Sequence, residues 1–249
     1  MKVLVACEES QRVCSAFRNR GYEAYSCDIC EPSGGHPEWH ILGDALDVLN
    51  PQYHAYNGRT EIFFHTMDGA MHSVPKWDLI IAHPPCTYLS NAGACRLFPH
   101  KGEIDKERYE LGMKAKEFFM KFMCAECDYI CVENPVPTRV FELPKYAQII
   151  QPYEYGEPYS KKTCLWLKGL PKLQPTNVLS DYKPYVSCHT SLNKGNPDKQ
   201  GFSRAGGAAL MRSKTFIGIA EAIASQFGKF VYDKINRKEN EDESLSEPR

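Results

Sequence analysis

Lys2-Val3-Leu4-Val5-Ala6, followed beyond Gly21 by Glu23-Ala24-Tyr25-Ser26-Cys27-Asp28, is the stretch that decides the fold. The first run is short and apolar, as a buried first strand is. Between the two runs, Ser10 precedes Val13, Cys14, Ala16 and Phe17. That spacing predicts a helix with Ser10 as its cap and Gly21 as its stop. A strand, a helix and a second strand form a βαβ unit, so an α/β fold with a mainly parallel sheet covered by helices is expected.

Reading outward, Trp77-Asp78-Leu79-Ile80-Ile81-Ala82 is a buried strand that must stop at His83-Pro84-Pro85-Cys86, because two prolines cannot continue a central strand. Asp128-Tyr129-Ile130-Cys131-Val132 is another strand, ending at Glu133-Asn134-Pro135. Asn50 to Pro75 reads as an insertion with a small hairpin around Glu61-Ile62-Phe63-Phe64. Asp105 to Met123 has helical spacing. Tyr146 to Gln151 and Thr163 to Leu167 are further strands, and Leu170 to Phe202 is largely loop. Ser213 to Phe227 is helical, Phe230-Val231-Tyr232 is expected to be a last strand, and the charged residues from about 236 to 249 are expected to be disordered.

The 249 residues are 43% hydrophobic and 24% charged, ordinary globular values. They suit one domain over 1–235. The 11 cysteines are an odd number, and no signal peptide or membrane-length apolar run is visible. Reduced thiols in a cytoplasmic protein are expected, which argues against secreted disulfide scaffolds and membrane proteins. The net charge of −1 hides an asymmetry: from Tyr155 to Lys214 there are ten Lys or Arg against three Asp or Glu. A basic segment on an acidic body suits a phosphate-bearing partner, or else is a solvated loop.

Two chemical motifs sit at strand ends. In open α/β sheets the ligand crevice lies beyond the carboxyl ends of the strands. Cys86 and Glu133 could therefore face one cleft, a nucleophilic thiol beside a carboxylic acid able to protonate its target.

Pro84-Pro85-Cys86-Thr87-Tyr88-Leu89-Ser90-Asn91-Ala92-Gly93 resembles the catalytic loop of DNA cytosine-5 methyltransferases. Glu133-Asn134-Pro135 resembles their Glu-Asn-Val or Glu-Asn-Pro motif. Tyr155-Gly156-Glu157-Pro158 through Lys161-Lys162-Thr163 to Leu167 resembles their Gly-x-Pro segment. Arg204-Ala205-Gly206-Gly207 through Ala224 resembles the closing motif that packs near the cofactor. The order agrees over most of residues 1–232, as in compact, often phage-encoded members. The resemblance implies a Rossmann-like class I methyltransferase fold, with helices on both faces of the sheet. It also implies S-adenosylmethionine as cofactor and DNA, duplex or single-stranded, or a cytosine nucleotide as partner. Cys86 would add to carbon 6 of cytosine and Glu133 would protonate ring nitrogen 3, with Pro85, Ser90, Asn134, Lys161, Lys162 and Thr163 near the base. Ala6, Glu8, Glu9, Asp28, Asp44 and Pro84 would line the cofactor site.

This chain departs from the family twice. The turn after the first strand, Ala6-Cys7-Glu8-Glu9-Ser10-Gln11-Arg12, has no glycine, although close backbone approach to a ligand normally uses one. The methionine end of the cofactor is then expected to sit differently, or not to bind. Where the family usually places an Arg seven residues after its glycine, this chain has Thr163, with Lys161 and Lys162 to supply charge. Glu8 and Glu9 could hold an ammonium or favour the helix start. Asp28 and Asp44 could grip ribose and adenine or serve as turn residues.

Cys27-x-x-Cys30 and Cys124-x-x-Cys127 have zinc spacing but lie far apart in the chain, and no metal is expected. A short basic insert, about 168–203, stands where larger family members carry a recognition domain. Its Lys168, Lys172, Lys183, Lys194 and Lys199, with Tyr182, Tyr185 and Phe202, could hold phosphates and stack a base. Two other readings remain open. One is an amino-methyltransferase using the His-Pro-Pro-Cys loop. The other is a nucleic-acid- or nucleotide-binding relative that has lost the cofactor.

Overall fold

The computed structural model describes residues 1–100, 102–185 and 214–246. The strands are β1 (Lys2–Ala6), β2 (Glu23–Asp28), β3 (His40–Leu42), β4 (Gln52–His54), β5 (Arg59–His65), β6 (Met71–Val74), β7 (Leu79–Ala82), β8 (Ile130–Pro135), β9 (Gln148–Ile150), β10 (Tyr159–Ser160), β11 (Thr163–Lys168) and β12 (Lys183–Pro184). The helices are α1 (Arg12–Arg18), α2 (Lys106–Met123) and α3 (Ile217–Ser246).

Seven strands form the central sheet in the order β3-β2-β1-β7-β8-β11-β9. The pairs from β3 to β8 are parallel, and β11 is antiparallel to both its neighbours. The mainly parallel α/β sheet expected from the opening βαβ unit is present. Its order reverses between β1 and β7, where a crevice forms in such sheets.

Side chains alternate across the sheet with the strand period of two. Val3, Val5, Leu79, Ile81 and Leu165 enter one core with Phe17 of α1 and Ile223, Phe227 and Val231 of α3. Leu4, Ala6, Ile80, Ala82, Ile130, Val132 and Trp166 enter the opposite core with Phe119 and Phe122 of α2. Helices therefore cover both faces. Each large side chain removed from water contributes about 1.5–3 kcal/mol. The core tryptophans Trp77 and Trp166 keep their N–H groups bonded. Trp77 donates to the Val48 carbonyl at 2.7 Å and Trp166 to that of Pro144 at 2.6 Å.

The insertion before β7 is a three-stranded antiparallel sheet, β4-β5-β6, rather than a single hairpin. Its Ile62, Phe64 and Val74 join Tyr25 and Trp77 in the main core. The C-terminal end corrects one expectation. Phe230-Val231-Tyr232 lies inside α3, which runs over Ile217–Ser246. Phe216, Ala220, Ile223, Phe227 and Val231 are all buried, so the 3.6 period simply runs on past Phe227. Among the described residues no helix is long and apolar enough to cross a membrane.

Candidate active site

Strand register builds the site. Ala6 pairs with both Cys27 and Ala82, and Ala82 pairs with Val132. The next residues, Cys7, Asp28, His83 and Glu133, therefore emerge level with one another at the carboxyl edge. Backbone bonds hold that edge: the His83 amide donates to the Ala6 carbonyl at 2.9 Å and the Glu8 amide to Cys27 at 3.2 Å.

The loop carrying Cys86 is tied on three sides. Asn134, 1% exposed, donates its side-chain amide to the Pro84 carbonyl at 2.7 Å. Ser90 donates its backbone N–H to Cys86 at 3.0 Å, and Thr138 donates to Leu89 at 2.8 Å, so the loop closes on the chain beyond β8. From α2, Arg108 donates to the Thr87 carbonyl at 3.1 Å and lies 5.0 Å from the Tyr88 ring centre. Pro84 and Ser90 are buried, Pro85 is exposed and Cys86 is half-buried at the tip. Two residues expected near the base, Asn134 and Ser90, thus hold the Cys86 loop in place.

Burial makes most other thiols poor nucleophiles. It pushes the Cys27 thiol up to about 12, and those of Cys127 and Cys164 up to about 11. The thiols of Cys7, Cys14 and Cys131 are raised for the same reason. Among the described residues no group of three or more His, Cys, Asp or Glu could hold a metal ion.

His83, which has no role in the cytosine-5 resemblance, stands beside Glu133. Its Nδ1 lies 3.1 Å from Oε2 of Glu133, with the two side chains 9% and 16% exposed. Burial opposes protonation of His83, but the hydrogen bond and charge of Glu133, with Glu8 behind, outweigh it and raise the imidazole above its ordinary value. Burial likewise opposes ionisation of Glu133. His83, with help from Lys161, outweighs it and holds the carboxyl below the usual range. Both directions favour a proton on His83 Nδ1, facing the Glu133 carboxylate. The Nε2 atom of His83 is buried with no hydrogen-bond partner. The signal was present in the sequence, since each residue directly follows a buried parallel strand.

On the other side of the order reversal, the first turn bends without glycine. Cys7 and Gln11 adopt left-handed backbone, with φ of 58° and 56°. Such residues cost about 1 kcal/mol or more each unless the surroundings hold them. Gln11 is held: its amide donates to Ser26 Oγ at 3.2 Å and to the His36 carbonyl at 2.8 Å, and its Oε1 accepts from the His36 N–H at 3.0 Å. Ser10 does not cap α1 as expected, because Gln11 occupies the cap position with no side-chain cap bond. Glu8 does that work instead. Its Oε1 accepts from the Val13 amide at 2.7 Å and its Oε2 from the Cys14 amide at 3.1 Å. Of the two readings open for Glu8, the helix start is the one observed.

Glu9 differs. Both its carboxylate oxygens are buried without a hydrogen-bond partner, and Lys214 stands 3.7 Å from Oε1. Asp28 and Asp44 each use one oxygen in a local turn, accepting from Cys30 and Leu46 at 2.9 Å. Their charges both reach Cys7, so they share its neighbourhood. The described part of the closing motif also comes here: Arg12 donates to the Thr215 carbonyl at 2.7 Å, and Lys214 to Ser33 Oγ at 2.7 Å. Residues 204–213 of that motif lie outside the described residues.

The Gly-x-Pro segment leads into β11, whose Thr163, Cys164 and Leu165 pair with Pro135, Asn134 and Glu133. Thr163 is buried and its hydroxyl donates to the Lys161 carbonyl at 3.2 Å. Lys161 reaches Glu133 and His83 with its charge and lies 5.8 Å from the Phe216 ring. Lys162 lines a hollow with Gln151, Ser160, Lys161 and Pro184. In the basic insert, Lys168 turns back to donate to Ala125 at 3.1 Å, while Tyr182 stacks on Tyr153 at 4.0 Å. Lys194, Lys199 and Phe202 lie outside the described residues.

No family model and no curated protein matches the sequence. Among solved structures the chain is similar to the Entamoeba histolytica methyltransferase EhMeth, with a TM-score of 0.40 and 13% identity over 72% of this chain and 57% of that one. The chain thus spans little more than half the length of that protein.

Proposed function

We propose that this chain is an S-adenosylmethionine-dependent methyltransferase that modifies carbon 5 of cytosine in DNA or in a cytosine nucleotide. One observation carries the reading: Asn134, next to Glu133, bonds the loop that presents Cys86, so thiol and carboxylate share the carboxyl edge of the sheet. The strand order also supports a Rossmann-like class I methyltransferase sheet, with its reversal between β1 and β7 and antiparallel β11 set between β8 and β9.

The chemistry follows from these residues. Sγ of Cys86, as the thiolate, bonds to carbon 6 as ring nitrogen 3 takes a proton from the Glu133 carboxyl. Carbon 5 becomes nucleophilic. S-adenosylmethionine, when bound, supplies the methyl group. A base then takes the carbon-5 proton, its bonding pair re-forms the ring double bond and expels the Cys86 thiolate, and nitrogen 3 returns its proton to Glu133. In a duplex the base must first leave the stack. The Glu9 carboxylate, buried without a hydrogen bond and 3.7 Å from Lys214, suits the cofactor's ammonium group, and Asp28 and Asp44 each keep an oxygen for its hydroxyl and amino groups.

The full chain, S-adenosylmethionine and oligonucleotides containing 5-fluorocytosine should give a denaturant-resistant adduct, because fluorine at carbon 5 blocks the elimination. Cys86→Ser should abolish it. Absence of adduct on duplex and single-stranded oligonucleotides of varied sequence and on the nucleotide would overturn the proposal. Methyl transfer surviving in Cys86→Ser would favour amino transfer.

A further inference from the structure

Glu133 must deliver a proton to the ring, yet contact with His83 holds its carboxyl below the usual range. Its partner is a buried histidine on the adjacent strand end, 3.1 Å away. We infer that His83 is a positioning residue that stores the proton Glu133 delivers and fixes the carboxylate toward the base. This inference rests on the cytosine reading above.

The geometry favours this role over a purely structural one. A structural histidine would use both ring nitrogens, as buried His40 does, with Nδ1 to Ser26 at 2.8 Å and Nε2 to Cys30 at 3.0 Å. His83 uses Nδ1 alone; its Nε2 is buried and unpaired. The strand register that sets Ala82 opposite Val132 places the ring beside Glu133 and no further from the Cys86 loop than Pro84 and Pro85 allow. The charged groups facing it are Glu133 from β8, Glu8 from the turn after β1 and Lys161 from the link before β11. Glu133 foremost and Glu8 behind it favour the imidazolium and Lys161 opposes it, while burial in turn raises the Glu8 carboxyl.

The proton balance is simple. Imidazolium and carboxylate become neutral imidazole and carboxylic acid as the proton passes from Nδ1 to Oε2. The carboxylic acid then protonates nitrogen 3 while Sγ bonds to carbon 6. Elimination of Cys86 returns the proton to Glu133 and then to His83. The same asparagine that pins Pro84 keeps Glu133's strand end and the Cys86 loop in one frame.

The test reads adduct formation on 5-fluorocytosine oligonucleotides against pH for wild type, His83→Asn and His83→Gln. Both variants keep a donor for Glu133 but store no proton. The expected result is a roughly 100-fold slower adduct at neutral pH, the lower end of general-acid effects. The descending alkaline limb should also move to lower pH, as Glu133 alone must hold the proton. NMR titration of the His83 ring in wild type and Glu133→Gln gives a second readout that needs no reaction and does not depend on the His83 variants folding. The ring should stay protonated above its ordinary range in wild type and revert in Glu133→Gln. An unchanged pH profile in His83→Asn, or a ring that is neutral in wild type at pH 6.5, overturns the inference and leaves the cytosine reading standing. No adduct in wild type at any pH, with the ring titrating as expected, overturns the reaction itself and the relay with it.

Discussion

At the scale of single residues, Glu8 separates two roles that share a chemistry. A carboxylate beside a helix start can accept backbone N–H groups or wait for a ligand's ammonium. Here the Val13 and Cys14 amides take both oxygens. Glu8→Gln should therefore destabilise the protein in the absence of any cofactor, by about 1–2 kcal/mol, as loss of a good helix cap does. Chemical denaturation of the cofactor-free protein checks this; unchanged stability would return Glu8 to the cofactor. Glu9 should behave in the opposite way. Its buried carboxylate has no hydrogen bond to lose. Glu9→Gln removes only the 3.7 Å ion pair with Lys214, so it should change the stability of the cofactor-free protein little while weakening S-adenosylmethionine binding, as read by calorimetry. These two neighbours were indistinguishable in the sequence, because the left-handed turns at Cys7 and Gln11 that send one inward to α1 leave no trace in residue type.

At the scale of elements, α3 docks by bare backbone contact. A Cβ placed on Gly218 would lie 1.9 Å from the Tyr155 carbonyl oxygen, and a backbone atom in a buried turn cannot step aside cheaply. Gly218→Ala should cost about 1–3 kcal/mol by overpacking, although alanine is the better helix former. A fall in thermal midpoint would show it; a rise would mean that α3 can slide along the sheet. The helix also shows how a short apolar run misleads. Phe230-Val231-Tyr232 looks like a strand in isolation, but Val231 continues the buried series from Phe216 through Phe227. Period, not composition, separates the two structures. Strands β1, β2, β7, β8 and β11 were legible because they alternate between two cores or end at proline, whereas the insertion before β7 was not, being three strands where one hairpin was expected.

At the scale of the whole molecule, the His83–Glu133 pair links stability to pH. The histidine is raised above its ordinary 6.5, so its contribution is complete below that value and is lost as pH rises through the folded value. The glutamate is lowered below its ordinary 4.5, so its contribution is complete above that value and is lost as pH falls through the folded one. The thermal midpoint of wild type minus that of the His83→Gln/Glu133→Gln double variant should be greatest between about pH 4.5 and 6.5 and shrink on either side. A difference independent of pH would mean that the pair is not ionised. The sequence by itself determined the α/β class, the strand ends and the order of Cys86 and Glu133 along the chain, because apolar period and proline act locally. Only the tertiary structure decided that His83 meets Glu133 across 50 residues, that Asn134 holds the Cys86 loop and that Glu8 caps α1. Those contacts depend on parallel register and on two strained backbone positions, and both are set by packing the whole sheet at once.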